Sequence, residues 1–263
     1  MSHPPSLDRL RQRIRVLEGS AREAGRVLPL GLAALDAGLP WGGLPLGCLH
    51  QVVGEADDPA EAATGPAAAL GFTAVLAARL AAHAAAPVLW CVRHGAADDT
   101  LFPPGLAQFG LPPARLTIAR ARDDVQVLWC MEEGLRTAGL AAVVGQARAV
   151  DLTAGRRLQL AAEAGGVTGL LLAAAGRRGA GAGSGVASVA ATTRWRVTPR
   201  PAAPVSWPGL GPPRWDVTLE RCRGGRPARW SLDWNDETGD LSVVAALRDR
   251  PGDAARRPAR RRA

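Results

Sequence analysis

The chain has no lysine and no tyrosine, and all 32 of its basic residues are arginine. Without lysine there is no Schiff-base former, no lysine general base and no ammonium for a phosphate loop. Cysteine is scarce. The four at 48, 91, 130 and 222 have no paired spacing, which argues against a disulfide framework or a zinc ribbon and points to a reducing cytosol. The apolar stretches are short or broken by charge, glycine and proline, so no membrane span is expected. Arg9, Arg11, Arg13 and Arg15 sit inside a Leu/Ile pattern rather than ahead of an apolar block, which is not a secretory signal.

What is present suffices for one large α/β domain with tails. The 263 residues are 47% hydrophobic, enough to build a core and exclude global disorder. The net charge of +8 is unevenly placed. Residues 1–27 hold six arginines against three acids, residues 248–263 hold seven against two, and the stretch between them is neutral. A neutral core argues against a domain built around an electropositive nucleic-acid channel. Basic ends can still touch phosphates without sequence preference.

Leu7, Leu10, Ile14 and Leu17 are spaced three, four and three apart, one stripe of a helix with an arginine-rich opposite face. This helix either packs on its own core or docks a partner. Residues 28–47 are dense in glycine and proline, with a short helix near Leu32–Ala37. Strands are then expected at 48–53, 88–92, 115–119, 140–144 and 169–174. Helices are expected at 67–86, 123–138 and 153–164, with Val127, Leu128, Met131 and Leu135 facing inward on the second. Such alternation predicts a parallel sheet covered on both faces. After a glycine-rich loop at 176–187, strands at 192–197, 215–222, 228–233 and 241–244 look antiparallel, with a turn at 223–226. The last stretch, RRPARRRA, has no apolar face and is expected to be disordered.

One stretch is more specific. Gly31-Leu32-Ala33-Ala34-Leu35-Asp36, then Gly42-Gly43-Leu44-Pro45-Leu46-Gly47, then a strand ending at Gly54, resembles the start of the RecA recombinase core. The similarity runs in order over roughly residues 28–245. It implies that Val88–His94 is the strand that ends in a catalytic Glu in RecA, Leu140–Gly145 the strand that ends in a magnesium Asp, and Gly169–Ala174 the strand that ends in a sensing Gln. The chemistry departs from that pattern at every point. Gly54-Glu55-Ala56-Asp57-Asp58-Pro59-Ala60-Glu61 has four carboxylates and no Gly-Lys-Ser/Thr. Arg93 stands for the Glu, with His94 matching beside it. Gly145 stands for the Asp, followed by Gln146. A small residue near Ala175 or Gly176 stands for the Gln. A RecA-like core without these motifs, behind a Leu/Arg helix and ahead of a basic tail, is similar to the ImuA family and, as a shorter cousin, to the SulA cell-division inhibitors.

Other candidate sites are weaker. Cys91 and His94 are three apart at a strand end, which fits a metal or nucleophile site less well than a buried thiol beside a strand-end histidine. Asp57, Asp58, Asp98 and Asp99 read as solvated loops, and Asp123-Asp124 as a helix N-cap. His3, His50, His83 and His94 lie in no nucleophile motif. Trp207, Trp215, Trp230 and Trp234 belong either to the core or to a partner surface. Arg177 and Arg178 lie in a flexible connector or a weak DNA contact.

These readings combine into one expectation: an α/β, RecA-like, mostly parallel sheet flanked by helices, closed by antiparallel strands. Its parts are an amphipathic helix at 1–27, a core lacking Walker motifs at 28–245 and a basic tail at 246–263. The resemblance implies a cytoplasmic, nucleoid-associated, non-catalytic adaptor of damage-induced translesion synthesis, with no cofactor or metal. It implies that ImuB (an inactive Y-family polymerase homologue), RecA or both are partners and that an error-prone C-family polymerase is supported indirectly. Leu7, Leu10, Ile14 and Leu17 are the candidate partner contacts. Arg256, Arg257, Arg260, Arg261 and Arg262 are the candidate tail contacts to DNA or a partner. A SulA-like division inhibitor is the alternative.

Overall fold

Alternating apolar and amphipathic stretches set the order of elements in the computed structural model, which describes residues 26–55, 64–95, 101–148, 150–173, 190–202, 211–235 and 237–245. The strands are β1 (Val27–Leu28), β2 (Leu44–Pro45), β3 (Leu49–Gly54), β4 (Val88–Arg93), β5 (Leu116–Ala121), β6 (Ala142–Ala147), β7 (Thr168–Ala173), β8 (Thr193–Arg200), β9 (Arg214–Cys222), β10 (Ala228–Asn235) and β11 (Asp240–Ala245). The helices are α1 (Ala33–Asp36), α2 (Thr64–Ala84), α3 (Pro103–Ala107), α4 (Asp124–Arg136) and α5 (Leu152–Gly165).

Nine of the described strands form one sheet in the order β5-β4-β6-β7-β3-β8-β9-β10-β11. Pairing is parallel from β5 through to β8 and antiparallel from β8 to β11. This is the expected mixed architecture. β3 and β7 are buried on both faces; β7 is almost continuously apolar, as a covered parallel sheet requires, while β3 also buries His50 and Gln51.

Two cores lie on opposite faces. Val52, Trp90, Leu170 and Trp195 pack with Phe72, Val75, Leu76 and Leu80 of α2. Leu49, Val143 and Leu171 pack with Val127, Met131, Leu135 and Leu158 of α4 and α5. By length and composition α2 is long and apolar enough to cross a membrane, contrary to the expectation that no stretch of the sequence is. Its apolar surface is instead spent on the fold: twelve of its positions are buried, and it packs on β3 and β8. Its small residues permit close approach. Gly71 lies where a Cβ would stand 2.9 Å from the Trp215 ring and 3.0 Å from that of Phe109.

The tryptophans expected either in the core or at a partner surface divide clearly. Trp215, Trp230 and Trp234 are buried, stacked in one aromatic cluster with Phe72, Phe109 and Trp195. Trp207 lies outside the described residues. The glycine- and proline-rich stretch 28–47 holds a small antiparallel pair the sequence did not announce, with Val27 opposite Pro45 and Leu28 opposite Leu44. Two-residue strands carry no periodicity to read. Gly43 makes the pair possible, since a Cβ there would meet the Leu28 carbonyl at 2.6 Å.

Candidate functional site

In an open α/β sheet, ligands are met at the carboxyl ends of the parallel strands. Four such ends matter here: those of β3, β4, β6 and β7. The end of β3 is Gly54, over which the first turn of α2 closes. A Cβ at 54 would collide with the backbone of Gly65 and with the Pro66 nitrogen. The next residue, Glu55, donates its N–H to the Val197 carbonyl of β8 at 2.9 Å. Its carboxylate is ion-paired with the Arg196 guanidinium.

That pair is one end of a chain of charges. Arg196 also holds Glu220 Oε1 through Nε at 2.6 Å and Nη2 at 2.5 Å. Glu220 Oε2 lies 2.9 Å from Arg194 Nε as an ion pair. Burial alone pulls the Arg196 guanidinium down, but the bonds to Glu55 and Glu220 outweigh it and hold it above the usual arginine value. Glu55, Arg196, Glu220 and Arg194 thus alternate in sign, fixing the start of the loop after β3 to the neighbouring strands.

At the end of β4, Arg93 lies 3.8 Å from Asp124, and exposed His94 donates its N–H to the Ala121 carbonyl. Asp124 also accepts the Arg148 N–H at 3.0 Å, which ties the tips of β4 and β6 together. On β6, Gly145 lies under Met131, whose sulfur would be 2.5 Å from a Cβ. Gln146 follows, its amide oxygen buried and without a hydrogen-bond partner. β7 ends at Ala173, and the stretch that would hold the sensing residue, including Ala175, Gly176, Arg177 and Arg178, lies outside the described residues.

Other candidates sort plainly. Cys91 is buried and its thiol is pushed up to about 12, mainly by desolvation, while His94 points to solvent, so the two do not form a site. Asp123 caps α4, accepting the Gln126 N–H at 2.8 Å, as the sequence suggested. His50 is buried within a hydrogen-bond network of Thr193, Pro45 and Trp195. Among the described residues no group of three His, Cys, Asp or Glu is placed to hold a metal. Leu7, Leu10, Ile14, Leu17, the Asp57–Asp58 and Asp98–Asp99 pairs, and Arg256, Arg257, Arg260, Arg261 and Arg262 lie outside the described residues.

The charge chain itself escaped the sequence reading. Its signal was present as arginine and acid alternating with apolar residues in RWRVTPR and RWDVTLER. That alternation fixes a polar sheet face but not which charges meet across strands.

No family model matches the sequence. Over 219 residues, 82% of this chain and 86% of the relative, it is 45% identical to Protein ImuA of two strains of Caulobacter vibrioides. Among solved structures it is similar to a KaiC-like protein of the hyperthermophilic archaeon Pyrococcus horikoshii, with a TM-score of 0.54 over 84% of this chain and 99% of that one, at 15% identity. The second likeness bears on the fold, which is RecA- and KaiC-like. The first is long and high enough to decide the lineage, and the chain belongs to the ImuA family.

Proposed function

We propose that this protein is a non-catalytic, RecA-like adaptor of damage-induced translesion synthesis. It binds ImuB, RecA or both, and so supports an error-prone C-family polymerase in the cytoplasm, close to the nucleoid. One observation carries the non-catalytic part of the reading. The residue that opens the loop after β3 is a glutamate paired with an internal arginine, in a chain with no lysine. A phosphate loop needs successive backbone N–H groups, a lysine on the β and γ phosphates and a Ser or Thr on magnesium. Glu55 stands at that spot as an anion instead, and Arg93 and Gly145 stand where a catalytic Glu and a magnesium Asp are needed. This residue set does not fit a nucleoside triphosphate.

The adaptor part rests on family membership and the division of the chain. The stripe Leu7, Leu10, Ile14 and Leu17 within 1–27 is the proposed partner contact. The arginines at 256, 257, 260, 261 and 262 within 246–263 are the proposed tail contact. The core at 28–245 presents them. The test is capture of purified ImuB and RecA by the full chain, with and without Mg-ATP. The expected result is capture indifferent to nucleotide, and weakened at least tenfold by Ser at the four stripe positions. Capture of the division polymer alone would transfer the reading to a SulA-like inhibitor. ATP-dependent capture would overturn the account of the β3 loop.

A further inference from the structure

Large apolar side chains left in water gather on one pair of helices. Of the six that are exposed among the described residues, four lie on α4 and α5: Val125, Trp129, Leu152 and Leu160. Single exposed apolar residues are ordinary, but a tryptophan at 60% exposure with a valine at 75% one turn before it is a strip. Both helices bury their opposite sides against the sheet, α4 through Val127, Met131 and Leu135 and α5 through Leu158, Ala161 and Ala162. Across the seam between them Arg157 holds Glu132 at 2.6 Å. Glu132 is one turn after Trp129 and Arg157 one turn before Leu160, so Trp129 and Leu160 flank the same bridge. Val125 continues the strip along α4.

The described chain begins at the foot of this strip. The Arg26 carbonyl accepts the Leu46 N–H at 2.9 Å, and Arg26 Nη1 lies 2.8 Å from where a Cβ on Gly166 would be. Gly166 ends α5 in the left-handed region, and Gly165 abuts the Leu135 carbonyl and Arg136 at the end of α4. Both helices therefore finish where residues 1–25 join the fold. Those residues carry Leu7, Leu10, Ile14 and Leu17. Among the segments outside the described residues, this is the one with four large apolar side chains at helical spacing. The stretch from Leu17 to Arg26 reaches up to about 30 Å. Leu160 is about 9 Å along α5 from Gly166, and Val125 about 16 Å along α4 from Arg136. The stripe, wound as a helix, is about 15 Å long, and a helix that short does not hold in water without a surface for its apolar face.

We infer that residues 1–25 fold back onto α4 and α5, with Leu7, Leu10, Ile14 and Leu17 laid over Val125, Trp129 and Leu160 and the arginine-rich side left in water. The tether favours this occupant. A segment joined by a short linker meets the strip at an effective concentration on the order of millimolar, which a second copy or a separate protein at micromolar concentration does not match. A partner that takes the stripe, as proposed above, first lifts it from this seat. The inference concerns the chain alone and stands whatever the partner.

The test is timed trypsin digestion of the full chain, in which cleavage after Arg9, Arg11, Arg13 and Arg15 reports release of the segment. Wild type is compared with the double variant W129S/L160S, which leaves the segment's own sequence untouched and changes exposed positions alone. Near-UV circular dichroism checks that the variant's core is intact. The variant is expected to be cut at those bonds at least about tenfold faster, because cleavage follows the population of the released form. A second measurement replaces Leu10 with benzoylphenylalanine and maps the photo-crosslink. The expected product is monomer-sized and joins position 10 to residues 124–164. Equal cleavage rates in the two proteins overturn the inference. So does a dimer-sized product, which gives the strip to a second copy, and so does a monomer-sized product joined elsewhere. Neither measurement contains a partner, so a failed capture of ImuB or RecA leaves this result unchanged.

Discussion

At the residue scale, His50 shows how much a single buried polar group depends on its partners. Its Nε2 lies 2.9 Å from the Pro45 carbonyl, and its Nδ1 lies 2.7 Å from Thr193 Oγ1, which also accepts the Trp195 indole N–H at 2.7 Å. The network assigns the neutral tautomer with the proton on Nε2, donating to Pro45, while Nδ1 accepts the threonine hydroxyl. Complete desolvation lowers its pKa from 6.5 to about 4, against a smaller opposing pull from the Pro45 carbonyl. The unfolded chain therefore binds this proton more tightly than the folded one. The contribution is full above about pH 6.5 and is lost as pH falls toward 4, a total of about 3 kcal/mol. Urea unfolding at pH 7.5 and 4.5 is expected to show the wild type losing about 2–3 kcal/mol more than His50→Gln across that interval. Equal losses in the two proteins would remove the histidine from the acid response. Nothing in the sequence marked this residue: a histidine in the run CLHQVVG is legible as buried, but its partners are 5 and 143 positions away.

At the element scale, the β8–β10 charge ladder lies on the sheet face that α4 and α5 cover over the parallel strands. Its centre is Asp216. One carboxylate oxygen takes Arg200 Nε and Arg229 Nη2, each at 2.6 Å, and the other takes Ser231 Oγ at 2.5 Å. Arg214 forks onto Asp233 beside it at 2.5 and 2.7 Å. The alternation in Trp215-Asp216-Val217-Thr218-Leu219 announced which residues face away from the core, and the strand carries them so. The outward face is nonetheless not a wet one, since Asp216 is buried under the arginines of two neighbouring strands. Removing one partner of a buried ionic cluster costs more than the cluster contributes net, because the remaining charges are left unpaired. Arg229 is half-exposed and can recover solvent, so Asp216→Ala is expected to cost about 2–3 kcal/mol, at or below the low end of the roughly 3–5 kcal/mol for breaking a fully buried pair. A lowered urea midpoint at unchanged slope checks it, and a loss below about 0.5 kcal/mol would mean the ladder is ornamental. Long elements were legible because α4 has a period that the sequence displays and the parallel strands stand out as short apolar runs between turn residues. The β1–β2 pair and the Glu220 bulge were not, because one is too short to have a period and the other is fixed by pairing with a distant strand.

At the scale of the whole molecule, the carboxyl ends of the parallel strands bring together segments that are remote in sequence. Glu55 follows β3, Arg93 ends β4, Gly145 lies within β6, two residues before its end, and the arginine that pairs with Glu55 comes from β8. The sequence displayed the departure from the RecA pattern at each position, and parallel pairing brings these strand ends to one end of the sheet. What it did not display is that each of these residues is held by a partner from elsewhere in the fold. Glu55 is bound to β8, Asp124 bridges the tips of β4 and β6, and Met131 fills the space in front of Gly145. Each tip is therefore packed and paired within the fold, and a single substitution toward the RecA pattern should not create a site. Gly145→Asp places a carboxylate against the Met131 sulfur in a buried layer, where both crowding and an unpaired charge oppose it. A ligand at about one hundred times its Kd stabilises a fold by about 2.7 kcal/mol, so millimolar Mg-ATP reports any site with Kd below roughly 10 μM. The thermal midpoint of the wild type is expected to be the same with and without Mg-ATP. Gly145→Asp is expected to lower that midpoint and to leave it equally indifferent to nucleotide. A nucleotide-dependent rise in either protein would show that the tips still form a phosphate cradle, and that the internal ion pair at Glu55 opens to admit it.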